Sequence, residues 1–128
     1  MPFFEWSDEL DTNVDSMNKE HQTLINLMNK LYDLNSSDAP KDEIKKAFDE
    51  FASFTIKHFK DEEEYMASIN YEKLEVHKKI HEDLLKKVTE FKTNFEQSQN
   101  KLENSFFSFL SVWLNSHIRG IDKQYGAF

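Results

Sequence analysis

Apolar side chains recur at intervals of three and four along most of the chain. From about Asn18 to Leu34, the residues Leu24, Ile25, Met28, Leu31 and Tyr32 form one stripe, with His21 at its upstream end. A second stripe joins Ile44, Phe48, Phe51, Thr55, His58, Glu62 and Tyr65, and a third joins Leu74, His77, His81, Leu84, Val88, Phe91 and Phe95. A fourth carries Phe106, Leu110, Trp113 and His117. Residues at these offsets share a face of an α-helix, so the pattern predicts helices over about 18–35, 40–66, 71–96 and 102–119. The first is expected to stop at Asn35-Ser36-Ser37-Asp38-Ala39-Pro40, with Asp38 as a capping residue and Pro40 in the first turn of the next helix. The polar stretch Gln97-Ser98-Gln99-Asn100 separates the last two.

Four amphipathic helices with short connections pack most simply as an up-down-up-down four-helix bundle, an all-α fold. At 128 residues the chain is expected to be a single domain, 1–128, long enough to bury a core without staples. Residues 1–17 include Trp6 and Val14 but show no period, and are expected to lie over the bundle as an N-terminal arm. Composition narrows the alternatives. With 2 Gly and 2 Pro there are too few turn signals for a β-sandwich or barrel, and 12 Phe with 38% apolar residues exclude intrinsic disorder. Cysteine is absent, so no disulfide, thiolate zinc site or thiolate iron–sulfur cluster is available. The start, Met1-Pro2-Phe3-Phe4-Glu5-Trp6, lacks a basic region and an apolar run, and the longest apolar-rich stretch, Phe106 to Leu114, is too short to span a bilayer. A cytoplasmic protein without membrane insertion is expected. With 24 acidic and 16 basic side chains the net charge is −8, which works against nucleic acid and anionic membranes as partners.

The polar residues on the apolar stripes change the picture most. His21, His58, His77, His81 and His117 are all the histidines of the chain, and each falls on a core-facing stripe. Every helix contributes at least one. Glu62 lies one turn after His58 on the same face. Singly, each has an ordinary structural account: a hydrogen-bonded core histidine, or an i,i+4 side-chain pair. Together, five imidazoles and a carboxylate in one core would cost of order 1–3 kcal/mol per unpaired polar group and more per unpaired ion. A metal satisfies them most simply. With Asp122, the candidate ligands number seven: five nitrogens and two carboxylates. A single zinc wants about four, so seven point to two metals, with the carboxylates able to bridge. The carboxylate-rich dimetal bundles use Glu-x-x-His motifs. Here the residue three before each histidine is Asn18, Thr55, Leu74, Lys78 or Leu114, never Glu. A nitrogen-rich pair supplies less anionic charge to higher oxidation states, which favours reversible binding over oxidising chemistry.

At this point the chain resembles the hemerythrin family, specifically its single-domain bacterial members. The matching elements are Trp6, His21-Gln22 with Leu24, the run His58-Phe59-Lys60-Asp61-Glu62-Glu63-Glu64-Tyr65-Met66, Tyr71, His77 and His81, and Trp113-Leu114-Asn115-Ser116-His117-Ile118-Arg119-Gly120-Ile121-Asp122-Lys123-Gln124-Tyr125. They cover nearly the whole chain. The resemblance implies reversible dioxygen binding, as carrier, store or sensor and not as an enzyme, at two iron ions (Fe2+/Fe3+) joined by an oxo or hydroxo group. It implies that His77, His81 and His117 hold one iron and His21 and His58 the other. Glu62 and Asp122 would bridge them, and dioxygen would bind at the open position of the two-histidine iron. Phe59, Trp113, Leu114 and Ile118 are the implied dioxygen pocket, although each also reads as core packing. The competing classes are a diiron oxidase, peroxidase or nitric-oxide-handling enzyme on the same fold, and an iron store. Nothing in the sequence names a protein client.

The chain departs from the family's usual pattern at Asn18, Glu20 and Glu72, none of them a ligand position. The first two bear on the hydrogen bond expected behind His21. Asp61, Glu63 and Glu64 read as a solvated face. One backbone expectation follows from spacing. His58 and Glu62 are four apart, as are His77 and His81, but His117 and Asp122 are five apart, an offset of about 140° on a regular α-helix. The fourth helix is therefore expected to end, tighten or carry a wide turn there, near Gly120, with Lys123, Gln124 and Tyr125 following as a short C-terminal arm.

Overall fold

The structure, a computed structural model, describes residues 4–97, 102 and 104–126. A short 3-10 turn, Asp8–Leu10, precedes α1 (Asp15–Ser36), α2 (Lys41–Ser68), α3 (Leu74–Gln97) and α4 (Asn104–His117). A π-helical turn, Ile118–Asp122, then leads into α5 (Lys123–Gly126). The predicted helices are all present, with ends displaced by a few residues. α1 starts within the expected arm, because the side chain of Asn18 gathers the preceding segment. Its Oδ1 accepts from the Thr12 amide and hydroxyl, both at 2.9 Å, and its Nδ2 donates to Asp11 Oδ1 at 2.8 Å. The rest of the arm is tied by Asn29, whose side chain exchanges two 2.8 Å hydrogen bonds with the backbone of Phe4, while Trp6 packs on the core. Asp38 is not the cap of α2. It takes a left-handed backbone with φ 61°, and Pro40 occupies the cap position without a side-chain cap bond. Asp and Asn tolerate that conformation better than other side chains, and Asn70, φ 55°, ends α2 in the same way.

Heptad-like spacing on each helix buries two apolar bodies of unequal size. The larger contains Leu24, Ile25, Met28 and Leu31 of α1, Phe48, Phe51 and Phe59 of α2, Leu84 and Val88 of α3, and Phe106, Leu110 and Leu114 of α4. Each such side chain contributes about 1.5–3 kcal/mol of burial. The smaller contains Met17, Met66, Tyr71 and Tyr125. The histidines fall between the two on every helix, as His21 does between Met17 and Leu24. A polar layer is thereby held between a deep core and an aromatic cap.

A buried amide ties the far end of the bundle. Asn35 Nδ2 donates to the Leu102 carbonyl at 3.2 Å, and the Leu102 amide donates to Asn35 Oδ1 at 2.9 Å. Asn35→Ala would leave both backbone groups unpaired in the core, at a cost of about 1–3 kcal/mol. The expected result is a thermal midpoint lower by several degrees with metal content unchanged, measured by circular dichroism and elemental analysis.

Candidate metal centre

All seven sequence-predicted ligands meet in the polar layer, each buried. α1 supplies His21; α2 supplies His58 and Glu62 one turn apart; α3 supplies His77 and His81 one turn apart; α4 supplies His117. Asp122 arrives by the π-helical turn. That turn closes i to i+5, so residues five apart come to one side, and His117 Nε2 lies 2.9 Å from Asp122 Oδ1. The backbone irregularity expected from the five-residue spacing is thus present. Gly120 does not require it sterically, since a Cβ there would meet nothing within 4 Å. Lys123 to Tyr125 do not form an arm: they continue as the helical turn α5, which carries Tyr125 inward.

The two carboxylates divide their oxygens between two groups of imidazoles. Glu62 Oε1 lies 2.9 Å from His81 Nε2 and 3.4 Å from His77 Nε2, while its Oε2 lies 3.3 Å from His21 Nε2 and 3.4 Å from His58 Nε2. Asp122 Oδ1 faces His77 Nε2 at 3.0 Å as well as His117, and Oδ2 faces His21 Nε2 at 3.0 Å. Two overlapping sets of potential ligand atoms result, each with all its atoms within 4.8 Å of one another: Glu62, His77, His81, His117 and Asp122; and His21, His58, Glu62 and Asp122.

These atoms fit cations better than they fit each other. His81 Nε2 and Glu62 Oε1 are close but not aligned as a hydrogen bond, and among the described residues neither they nor the two Asp122 oxygens make a hydrogen bond. His77 Nε2 and His117 Nε2 face each other at 3.2 Å. Donors converging at about 3 Å edges are what bonds of about 2.1 Å to a common six-coordinate centre require. In the protein's own donor set, imidazoles compensate the carboxylates. Burial, the strongest single influence on each, would lift Glu62 and Asp122, but the surrounding histidines hold both below the ordinary carboxylate range. Burial would lower the imidazoles, yet Asp122 and Glu62 raise His21, Glu62 with Glu20 raises His58 to about 10, and Asp122 with Glu62 raises His77 to about 9.

Of the groups behind this layer, the sequence singled out Glu20, but with His21 as its partner, and not Glu63 or Tyr125. Glu20 does not reach His21 but accepts from His58 Nδ1 at 2.8 Å, and Asn18 is engaged with the arm. Glu63, read as solvated, accepts from His81 Nδ1 at 2.9 Å. Asp61 meets Lys57 at 2.8 Å, and Glu64 is exposed as expected. Tyr125 Oη donates to Glu62 Oε2 at 2.8 Å; burial and then the Glu62 charge push its pKa up, so it remains a donor. Adjacency to a ligand in sequence was the available signal for Glu20 and Glu63. Of the residues expected to line a pocket, Phe59 stacks on His81 (centroids 3.8 Å, planes 5° apart) and Trp113 on His117 (4.3 Å, 13°). Phe59 and Trp113 are themselves 5.9 Å apart, and Leu114 and Ile118 are buried in the adjoining core.

A four-helix bundle with two overlapping sets of buried imidazoles that share two carboxylates defines a class of cation-binding bundle proteins. Comparison with known proteins makes that class specific. The family profile described as Hemerythrin HHE cation binding domain matches residues 12–128. A bacteriohemerythrin of Clostridium acetobutylicum is 34% identical over 129 residues, covering 95% of this chain and 98% of that protein. A myohemerythrin of Riftia pachyptila is 32% identical over 120 residues, 94% of this chain and 88% of that one. The crystal structure of a wild-type hemerythrin superposes with a TM-score of 0.89 at 29% identity, covering 97% of this chain and 95% of its own. The chain belongs to the hemerythrin family. Among the described residues, no helix is long and apolar enough to cross a membrane.

Proposed function

We propose that this chain, as one domain, binds dioxygen reversibly at a pair of iron ions and serves in the cytoplasm as an oxygen carrier, store or sensor. The observation that carries this reading is the division of the Glu62 and Asp122 oxygens between two sets of imidazole nitrogens. His77, His81 and His117 with both carboxylates give five donors to one cation; His21 and His58 with the same carboxylates give four to the other. The second set, with fewer protein donors, would be the one that leaves its cation able to take up dioxygen. Ferrous iron supplies the electrons and the open position when bound. The chain's residues do the rest. Glu62 and Asp122 fix the spacing, Tyr125 holds the Glu62 carboxylate by its Oη, and Phe59, Trp113, Leu114 and Ile118 form an apolar wall that limits entry of water and protons. The oxidase reading is not favoured, because no histidine here is part of a Glu-x-x-His motif.

Iron analysis of the protein expressed in iron-replete medium tests the paired site: two irons per chain are expected, and one zinc without iron would contradict it. The wall has its own test. Leu114→Ala or Ile118→Ala should open the cage to water and speed loss of the oxygenated form severalfold, with iron content intact. Autoxidation rates equal to the parent in both variants would remove these two residues from the pocket.

A further inference from the structure

Two carboxylates touch the polar layer from behind, one behind each set of imidazoles. Glu20 of α1 accepts from His58 Nδ1 of α2 at 2.8 Å, and Glu63 of α2 accepts from His81 Nδ1 of α3 at 2.9 Å. Each bond therefore crosses between helices. Each carboxylate is only partly buried, with side-chain exposures of 18% for Glu20 and 26% for Glu63, so neither can itself join the buried layer. His21 and His117, by contrast, have buried Nδ1 atoms without a hydrogen-bond partner among the described residues. The carboxylates are thus distributed one to a cage: His58 belongs to the two-histidine set and His81 to the three-histidine set.

We propose that Glu20 and Glu63 are positioning residues that set the grip and the electron richness of the two cages separately. A carboxylate can only accept, so it holds the imidazole proton on Nδ1 and leaves the Nε2 lone pair facing Glu62. It also fixes the ring plane and makes Nε2 a stronger donor. Its negative charge favours the more highly charged state of the nearby cation, so neutralising it shifts the reduction potential upward. Glu20 carries a further adjustment, because Lys57 Nζ lies 4.0 Å from it and is shared with Asp61 at 2.8 Å. The two-histidine cage, the weaker in donor number, is the one whose positioning carboxylate is tempered by a surface lysine.

This inference rests on the paired-metal reading, and a metal titration separates the two. Cobalt(II) is added anaerobically to the metal-free full chain and followed by visible absorption, for the parent, Glu20→Gln, Glu63→Gln and the double variant. Glutamine keeps the size and an acceptor oxygen but removes the charge. Glu20→Gln should weaken one of two cobalt equivalents about 10- to 100-fold and leave the other at the parent value. Glu63→Gln should weaken the other, and the double variant both. In the iron form, spectroelectrochemistry should show a higher midpoint potential for each single variant, while far-UV circular dichroism of the metal-free variants matches the parent. A parent taking two equivalents, with both variants indistinguishable from it in affinity and potential, would overturn the division of roles alone. Equal weakening of both equivalents by Glu20→Gln would do the same. A parent taking fewer than two would overturn the paired-metal reading and this inference with it.

Discussion

Alanine at Glu62 or at Asp122 is expected to reduce the iron content from two per chain to one or none. Each of these side chains is buried and offers one oxygen to each set of imidazoles. Removing either takes a donor from both cages at once and removes half of the bridging. It also leaves positively polarised imidazoles without their counter-charge, and breaking a buried charged pair costs about 3–5 kcal/mol. The folded variants should therefore also melt at least ten degrees lower, at about 3–5 °C per kcal/mol for a chain of this size. His21→Ala offers the contrast. It removes a ligand from the two-histidine set only, so the set built on His77, His81 and His117 should keep its iron. Elemental analysis and thermal unfolding of the three variants side by side decide the matter. Full iron and a parental melting curve in Glu62→Ala would show that the carboxylate does not bridge.

Removing the metals should have the second largest effect, and its size should depend on pH in a direction the side chains dictate. A cation that binds only the folded chain adds about 4 kcal/mol when its free concentration is a thousand times its dissociation constant. Chelation should then lower the thermal midpoint by about 12–20 °C for each cation removed near neutral pH. In the metal-free chain, His58 is raised to about 10 and His77 to about 9 by burial-opposing contacts with Glu62, Glu20 and Asp122. The stability that those pairings contribute is fully present below the unfolded histidine value of about 6.5 and is lost as pH rises through 9 to 10. Glu62 and Asp122 are depressed, so their contribution is present above about 4 to 4.5 and is lost only as pH falls further. The chelated protein should be most stable between about pH 4.5 and 6.5. Cations and protons compete for the same nitrogens, so the stabilisation gained from metal should grow from pH 6 to pH 9. Scanning calorimetry of the chelated and loaded forms across that range checks both slopes. A metal increment that shrinks with rising pH would contradict it.

The helices and most of the candidate ligand positions were legible in the sequence for one shared reason. A buried helix face repeats every three to four residues, and His58, Glu62, His77 and His81 interrupt that repeat with polar groups in phase with it. The five-residue gap from His117 to Asp122 even foretold the π-helical turn. What the pattern could not show is contact between helices. Glu20 sits next to His21 in sequence, yet its carboxylate serves His58 on the neighbouring helix. Glu63 has the spacing of a solvated residue, yet it reaches His81. Asp38 has the composition of a cap but lies in a left-handed turn, two residues too early. Tyr125 follows the last ligand as part of a seeming tail, and only the continuation of the backbone into α5 turns its hydroxyl to Glu62. For Glu20, Glu63 and Tyr125 the side chain's partner lies on another element, and periodicity within one element carries no record of it.

Repeated cycles of oxygenation are the most direct test of the central claim. The ferrous, metal-replete protein is prepared without oxygen, exposed to air, and returned to an inert atmosphere while its absorption spectrum and iron content are followed. If the double cage binds dioxygen reversibly, an oxygenated spectrum appears on exposure, disappears on removal of oxygen and returns on re-exposure, with two irons per chain throughout. A single irreversible change to an oxidised spectrum, or no change with fewer than two irons bound, would contradict it.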